Sequence, residues 1–231
     1  MNLNLSDIAY YACIILAFVP AIVLHEVAHG YAAYKLGDPT AKRAGRLTLN
    51  PLAHIDMFGT VLLPLMLMVA HGPVFGYAKP VPYNPSYFED RRKGDVIVGL
   101  AGPAANLIQA LVGAAVAWAF FGVSQSPMAG SALFSYFYGL FLPYYVLINL
   151  FLMFFNLLPI PPLDGSCIYV YLVPKDRMDI YYKIERYAMP FLLILLFVIP
   201  YVTKVSPISL YMGATAGNLA NAIYPFPIYQ G

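Results

Sequence analysis

The stretch of sequence best suited to chemistry is VLHEVAHGYAA, residues 23–33, in which two histidines and a glutamate stand in an apolar run. On a helix, residues four apart share one face, so His25 and His29 can direct two ring nitrogens at one Zn²⁺. Glu26 can act as general base toward a zinc-coordinated water, whose pKa falls to about 7. The spacing therefore predicts a hydrolytic zinc site with one zinc per chain. The alternative is a pair of core histidines that bind no metal.

A hydrolytic zinc site ordinarily has three protein ligands and one open position. The candidates for the third ligand are Asp164, His54 and His71. We favour Asp164 because it stands alone between Asp95 and the charged stretch that begins at Lys175, directly after an apolar segment. Its alternative role is to cap a short following helix. His54 is left open as a loop residue, a transient fourth ligand or a gate, and His71 is predicted to be a turn or interfacial residue.

Composition places this site in a membrane protein. Of the 231 residues, 61% are hydrophobic and 10% are charged, where a soluble domain is about a quarter charged. No Asp, Glu, Lys or Arg occurs between Asp7 and Glu26, or between Asp95 and Asp164. Runs of this length can hold spans of about 20 residues. The first segment lacks a basic region and a cleavage site, so we interpret it as a membrane helix and not a signal peptide.

The apolar runs predict four long helices, and other features predict the segments between them. The stretch 58–72 is short and interrupted by Pro64, so we expect it to re-enter the membrane and return to the same side. Residues 73–85 are rich in proline and aromatics, which favours extended structure and a small β-hairpin, with an ordinary interfacial loop as the alternative. The tail over 206–223 is left open as a helix or a re-entrant piece. The predicted helices cover 8–36, 96–123, 132–158 and 190–205.

The basic residues predict an orientation. Three loops, 35–46, 79–93 and 175–186, carry 12 of the 13 Lys and Arg residues. Basic loops remain on the cytoplasmic side of a membrane. We therefore expect an N-terminus outside and an active site toward the cytoplasmic side. The two cysteines, Cys13 and Cys167, form neither a CxxC motif nor a disulfide framework.

Three motifs together resemble the site-2 protease family of intramembrane zinc metalloproteases. They are HEVAH on the first helix, AGPAAN at 101–106 and NLLPIPPLDG at 156–165. The loops resemble the small bacterial subgroup without PDZ or CBS domains, in which proline is common where Met57 stands here. The resemblance implies a single transmembrane domain over 1–231, with a three-helix catalytic core over 8–173 and C-terminal helices over 178–224. It also implies a bacterial plasma membrane.

The resemblance also implies roles for individual residues. It makes His25, His29 and Asp164 the zinc ligands, and Glu26 the catalytic acid/base. It further suggests that Asn156 holds substrate or stabilises an oxyanion, for which an amide N–H is suited. The alternative for Asn156 is a local bond to backbone freed by the prolines that follow it.

The predicted fold is an all-α polytopic membrane protein with a re-entrant segment and a small membrane-associated β-hairpin. Its predicted partners are a transmembrane protein substrate and the lipid bilayer, with no nucleic acid, and homo-oligomers are left open. One rival function is a metal carrier or sensor that does not cleave peptides. Another is a scaffold that binds no zinc. An intact Glu26 argues against the carrier, since binding alone requires no general base.

Overall fold

The computed structural model describes residues 5–62, 66, 79–125, 130–174 and 178–230 of the chain. Within these residues the regular structure is helical, and no strand is present. Short 3₁₀ turns and π-helical turns adjoin the α-helices. The 3₁₀ turns are Pro51–His54, Pro85–Tyr87 and Asp164–Ser166, and the π-helical turns are Met57–Leu62, Phe137–Phe141, Ile194–Val198 and Gly213–Gly217. The α-helices are α1 (Leu5–Lys35), α2 (Thr40–Arg43), α3 (Arg91–Ala119), α4 (Phe121–Ser124), α5 (Ala132–Tyr136), α6 (Leu142–Asn156), α7 (Cys167–Leu172), α8 (Met178–Leu193), α9 (Ile199–Thr203), α10 (Pro207–Met212) and α11 (Asn218–Ile223).

Four helical stretches of the described chain are long and apolar enough to cross a membrane. They are Asp7–Lys35, Arg91–Ala119, Ala132–Asn156 and Arg186–Thr203. Many of their large apolar side chains are exposed, including Leu16 at 62%. An apolar surface of that extent suits contact with lipid and not with water. The four predicted helices are therefore confirmed, although their ends shift by several residues.

The start of α3 shows why one boundary moved. The apolar pattern predicted a beginning at residue 96, but the helix begins at Arg91. The Asp90 side chain accepts a hydrogen bond from the Lys93 backbone N–H at 3.1 Å, as an N-cap residue does. A cap therefore sets this end, and the first turn of the helix is charged.

The predicted β-hairpin is wrong for the part of it that the structure describes. Residues 79–84 are non-helical and form no strand. Pro80 and Pro82 have no backbone N–H to donate, so this stretch cannot complete a hydrogen-bond ladder. Residues 73–78, and most of the predicted re-entrant stretch 58–72, lie outside the described residues. Met57–Leu62 at its start forms a π-helical turn.

The contacts divide the chain into two compact units, which we describe separately. The first comprises Met1–Ala21, Pro103–Phe155 and Ser209–Gly231. A buried amide pair joins two of its long helices, because Asn106 on α3 donates through Nδ2 to Asn149 Oδ1 on α6 at 2.8 Å. Both side chains are fully buried. This hydrogen bond runs from one long helix to the other.

The second unit comprises Ile22–Gly102 and Asn156–Ile208. Its core includes Ala33, Phe88 and Val98, each at most 6% exposed. The end of α1 is set by Gly37, which has φ of 100°, a conformation that favours glycine. The prediction of a single domain over 1–231 stays a prediction. The tail is helical from Pro207 to Ile223, and it is not among the four stretches able to span.

Candidate metal centre

The two motif histidines point to a common position from one face of α1. His25 is 5% exposed, and its Nε2 atom lies 3.1 Å from Nε2 of His29. The spacing of four residues places the rings one above the other on the helix. The geometry expected for a pair of metal ligands on one helix is therefore present.

Asp164 joins the pair from a distant part of the chain. After α6 ends at Asn156, the chain turns through a proline-rich loop and forms the 3₁₀ turn Asp164–Ser166. Asp164 Oδ2 lies 3.1 Å from His25 Nε2 and 3.3 Å from His29 Nε2. Within the described part of the chain these three residues form the one group of His, Cys, Asp or Glu side chains that could hold a metal.

Glycine after Asp164 makes this approach possible. A Cβ atom at Gly165 would lie 2.7 Å from the carbonyl oxygen of Leu158 and would overlap that of Leu157 as well. Any side chain at residue 165 would therefore push the turn away from the end of α6. The glycine that follows Asp164 is thus required for local steric reasons, which the sequence alone did not reveal.

A backbone carbonyl fixes the protonation of His29. Its Nδ1 atom lies 2.7 Å from the carbonyl oxygen of Val98, which can only accept a hydrogen bond. Nδ1 of the neutral ring must therefore carry the proton, and Nε2 keeps its lone pair toward Asp164. Metal-bound histidines typically use their second nitrogen in this way.

The donor set fits a zinc ion. The three ligand atoms are separated by 3.1, 3.1 and 3.3 Å. Tetrahedral coordination at the usual zinc bond lengths requires ligand atoms about 3.3 Å apart. Asp164 Oδ2 is buried and makes no hydrogen bond. This carboxylate oxygen and the two Nε2 atoms converge on one position, an arrangement that a shared cation would stabilise.

Gly102 keeps this position open. A Cβ atom there would lie 2.7 Å from His25 Nε2 and closer still to His29 Nε2. The absence of a side chain at Gly102 therefore lets the two imidazole rings approach the backbone of α3 closely. No feature of the sequence indicated which groups would approach Gly102.

Glu26 lies beside the ligands, in a different bonding environment. Its Oε2 atom accepts a hydrogen bond from the Val81 backbone N–H at 3.0 Å. Both residues line a cavity of about 390 Å³, together with His29, Asp164 and Asp95. Glu26 thus presents a carboxylate at the same cavity as His29 and Asp164 without being one of the three grouped ligands.

The other candidate residues lie elsewhere or cannot be placed. His54 is 2% exposed, and its Nε2 atom lies 2.9 Å from the Thr48 carbonyl oxygen, outside the ligand group. Asn156 ends α6, and it is not among the residues that line the cavity. Its role in substrate binding stays a prediction. His71 lies outside the described residues. Cys13 and Cys167 are free thiols, as expected.

Comparison with known proteins gives a consistent assignment. Residues 13–199 match the family model described as peptidase family M50. The chain is 39% identical over 205 residues to "Putative zinc metalloprotease YwhC" of Bacillus subtilis, which covers 89% of this chain and 87% of that protein. It is 30% identical over 189 residues to "Putative zinc metalloprotease Rip2" of Mycobacterium tuberculosis H37Rv, which covers 80% of this chain and 66% of that protein. No solved structure gives a significant match. Because the family model covers most of its length, this chain belongs to peptidase family M50.

Proposed function

We propose that this chain is a zinc metalloprotease that hydrolyses peptide bonds in or near the transmembrane segments of other membrane proteins. The observation that carries the proposal is the convergence of His25, His29 and Asp164 beside Glu26 at one cavity. The peptidase family and the printed names of two relatives support a zinc-dependent peptidase. The four apolar helices support a multi-pass membrane protein.

His25, His29 and Asp164 would hold the zinc ion through two imidazole nitrogens and one carboxylate oxygen. This set leaves a coordination position for water or substrate, as in catalytic zinc sites. When bound, zinc supplies Lewis-acid polarisation of the peptide carbonyl and a water of lowered pKa. The Val98 carbonyl keeps the His29 ring in the tautomer that can bind.

Glu26 provides the proton transfers. Its Oε2 atom accepts the Val81 N–H, which holds the carboxylate in place while it accepts a proton from the attacking water. The same carboxyl then donates that proton to the leaving amine nitrogen. A fixed carboxylate loses little orientational freedom in this exchange, which favours the reaction.

The position of the cavity supports a membrane-embedded substrate. Glu26 and His29 lie within the spanning stretch Asp7–Lys35, and Gly99 lies within Arg91–Ala119. The clustering of basic residues in three loops favours a site toward the cytoplasmic side. The two relatives reported above are bacterial proteins, which favours a location of this chain in a bacterial plasma membrane.

The test uses membranes from a strain that lacks this protein. Purified wild type and Glu26→Gln are added to them, and newly formed peptide termini are identified by mass spectrometry. We expect wild type to generate termini within or beside predicted spans, and Glu26→Gln to generate none while it retains zinc. Cys13→Ala, which alters a free thiol outside the cavity, is the matched control and should behave as wild type.

Two results would overturn the proposal. One is an equal set of new termini from Glu26→Gln and wild type. The other is metal flux into liposomes that Glu26→Gln leaves unchanged, together with no cleavage by zinc-loaded wild type. The second result would favour a metal carrier.

A further inference from the structure

The extended segment 79–84 borders the cavity and is held by groups from three other parts of the chain. At its start, the Lys79 N–H donates to the His54 carbonyl oxygen at 2.9 Å, and Arg46 Nη2 donates to the Lys79 carbonyl oxygen at 2.5 Å. In its middle, the Val81 N–H donates to Glu26. The segment is therefore fixed through its backbone, and one of its fixing groups is the proposed general base.

The far end of the segment is fixed by Asp38, which lies just beyond α1. The Asn84 N–H donates to Asp38 Oδ2 at 2.6 Å. Asp38 is 0% exposed, and burial of a carboxylate is costly unless its oxygens accept hydrogen bonds. Asn84, which lies 46 positions further along the chain, thus supplies one of the hydrogen-bond donors that the buried Asp38 carboxylate needs.

The two carboxylate oxygens of Asp38 have different partners. Oδ1 accepts from the backbone N–H of Thr40 at 2.9 Å and from its hydroxyl group, which makes a local turn. Oδ2 alone makes the long-range bond to Asn84. Burial opposes ionisation of Asp38, but hydrogen bonds from Thr40 and Asn84 outweigh it and keep the pKa of this carboxyl below its ordinary value. A local turn accounts for the hydrogen bonds to Oδ1, but it does not account for the long-range hydrogen bond to Oδ2.

We propose that Asp38 is a positioning residue for Glu26, acting through the segment 79–84. By holding Asn84, Asp38 keeps the segment extended along the cavity, so that the Val81 N–H reaches the Glu26 carboxylate. Asp38 itself does not line the cavity. The inference deepens the proposed function and rests on it, because it assigns a role toward the catalytic carboxylate.

The first test measures the position of the segment and requires no substrate. Val81 is 6% exposed, and Val81→Cys keeps the backbone N–H. Maleimide labelling at residue 81, read by mass spectrometry, should be about tenfold faster when Asp38→Asn is added. Asp38→Asn preserves Oδ1 for Thr40 but places an NH₂ group against the Asn84 N–H. Asp90→Asn, an exposed helix cap, is the matched control and should leave the labelling rate unchanged.

The second test measures catalysis on a substrate found by the terminus experiment. We expect Asp38→Asn to lower kcat about 10- to 100-fold, with KM changed less and zinc retained. Val81→Pro removes the N–H that reaches Glu26. If Asp38 acts through that N–H, the double variant should be no slower than Val81→Pro alone. A merely structural role would instead give multiplied losses.

Several outcomes would overturn the inference. They are an unchanged labelling rate, a kcat within twofold of Asp90→Asn, or multiplied losses in the double variant. If Asp38→Asn does not fold, Asp38→Ser keeps an oxygen for Thr40 but is too short to reach Asn84, and it takes its place. A zinc-loaded wild type that cleaves nothing would contradict the proposed function, whereas the labelling result would still decide whether Asp38 holds the segment.

Discussion

Two buried polar clusters lie among the spanning helices, and their hydrogen bonding differs. The amide cluster consists of Asn106, Gln109, Tyr145 and Asn149. Asn106 donates to Asn149, Asn149 donates to the Tyr145 carbonyl oxygen at 2.9 Å, and Tyr145 donates to Gln109 at 3.0 Å. In the amide cluster, hydrogen-bond donors are thus paired with hydrogen-bond acceptors.

The metal cluster of His25, His29 and Asp164 has the opposite character. The lone pair of His29 Nε2 faces Asp164 Oδ2, a buried atom with no hydrogen-bond partner. A buried polar group without a partner costs roughly 1–3 kcal/mol, and more if it is charged. A network of paired donors and acceptors stabilises the membrane fold, whereas converging acceptor atoms are typical of a metal-binding site. The predictions below test this distinction.

The largest expected effect is the dependence of stability on zinc. Zinc at about 1,000 times its dissociation constant should stabilise wild type by about 4 kcal/mol, since the metal binds the folded state. Asp164→Asn should lose that gain. Thermal unfolding with zinc and with a chelator measures both. Equal unfolding temperatures for zinc-loaded and chelated wild type would contradict the interpretation of the metal cluster.

The second effect concerns Gly102. In a helix, Gly→Ala ordinarily stabilises by about 1 kcal/mol. Here the added methyl group would meet both imidazoles, so we expect Gly102→Ala to weaken zinc binding at least about tenfold. Competition with a fluorescent zinc chelator measures the affinity. Gly122→Ala is the control, because a Cβ atom there meets nothing within 4 Å. Full zinc affinity in Gly102→Ala would be inconsistent with the site geometry.

A third effect should appear in the amide cluster and be independent of zinc. Asn149→Leu removes an acceptor from Asn106 and a donor to Tyr145, which should destabilise the fold by about 1–3 kcal/mol. The loss should be the same in zinc and in chelator, and zinc content should remain that of wild type. A destabilisation seen only in the zinc-loaded protein would remove the contrast between the clusters.

The smallest expected effect is that of Tyr145→Phe. This change removes one hydroxyl group and its hydrogen bond to Gln109, so we expect a loss of about 1 kcal/mol. Denaturation in detergent measures it, with Tyr201→Phe as a control at a side chain that is 78% exposed. A loss as large as that of Asn149→Leu would mean that the hydroxyl group, and not the amides, holds the cluster together.

Much of the helical fold could be predicted from sequence, because long uncharged runs have few alternatives in a membrane. The helix that carries His25 and His29 follows from such a run. Over the described residues 79–84 the hairpin prediction is wrong, because extended propensity does not ensure strand pairing and Pro80 and Pro82 cannot donate to a ladder. The composition of this segment favours an extended chain, but its prolines lack the backbone N–H groups that pairing between strands requires.

The site could be predicted only in part. His25, Glu26 and His29 have a fixed helical spacing, and Asp164 stood out as an isolated charge. Their supporting groups could not be found in this way, because the Val98 carbonyl and the Val81 N–H belong to the backbone and leave no trace in residue type. Asp38 stands in a Gly-Asp-Pro sequence that is typical of a turn, and its bond to Asn84 exists only in the folded chain.

The measurement that tests the central claim most directly is zinc content per chain in purified wild type, His25→Ala, Asp164→Ala and His54→Ala. We predict about one zinc for wild type and His54→Ala, and close to none for the other two. Zinc retained by Asp164→Ala and lost by His54→Ala would contradict the assigned ligand set. A wild type that cannot be loaded with zinc would contradict the metalloprotease account as a whole.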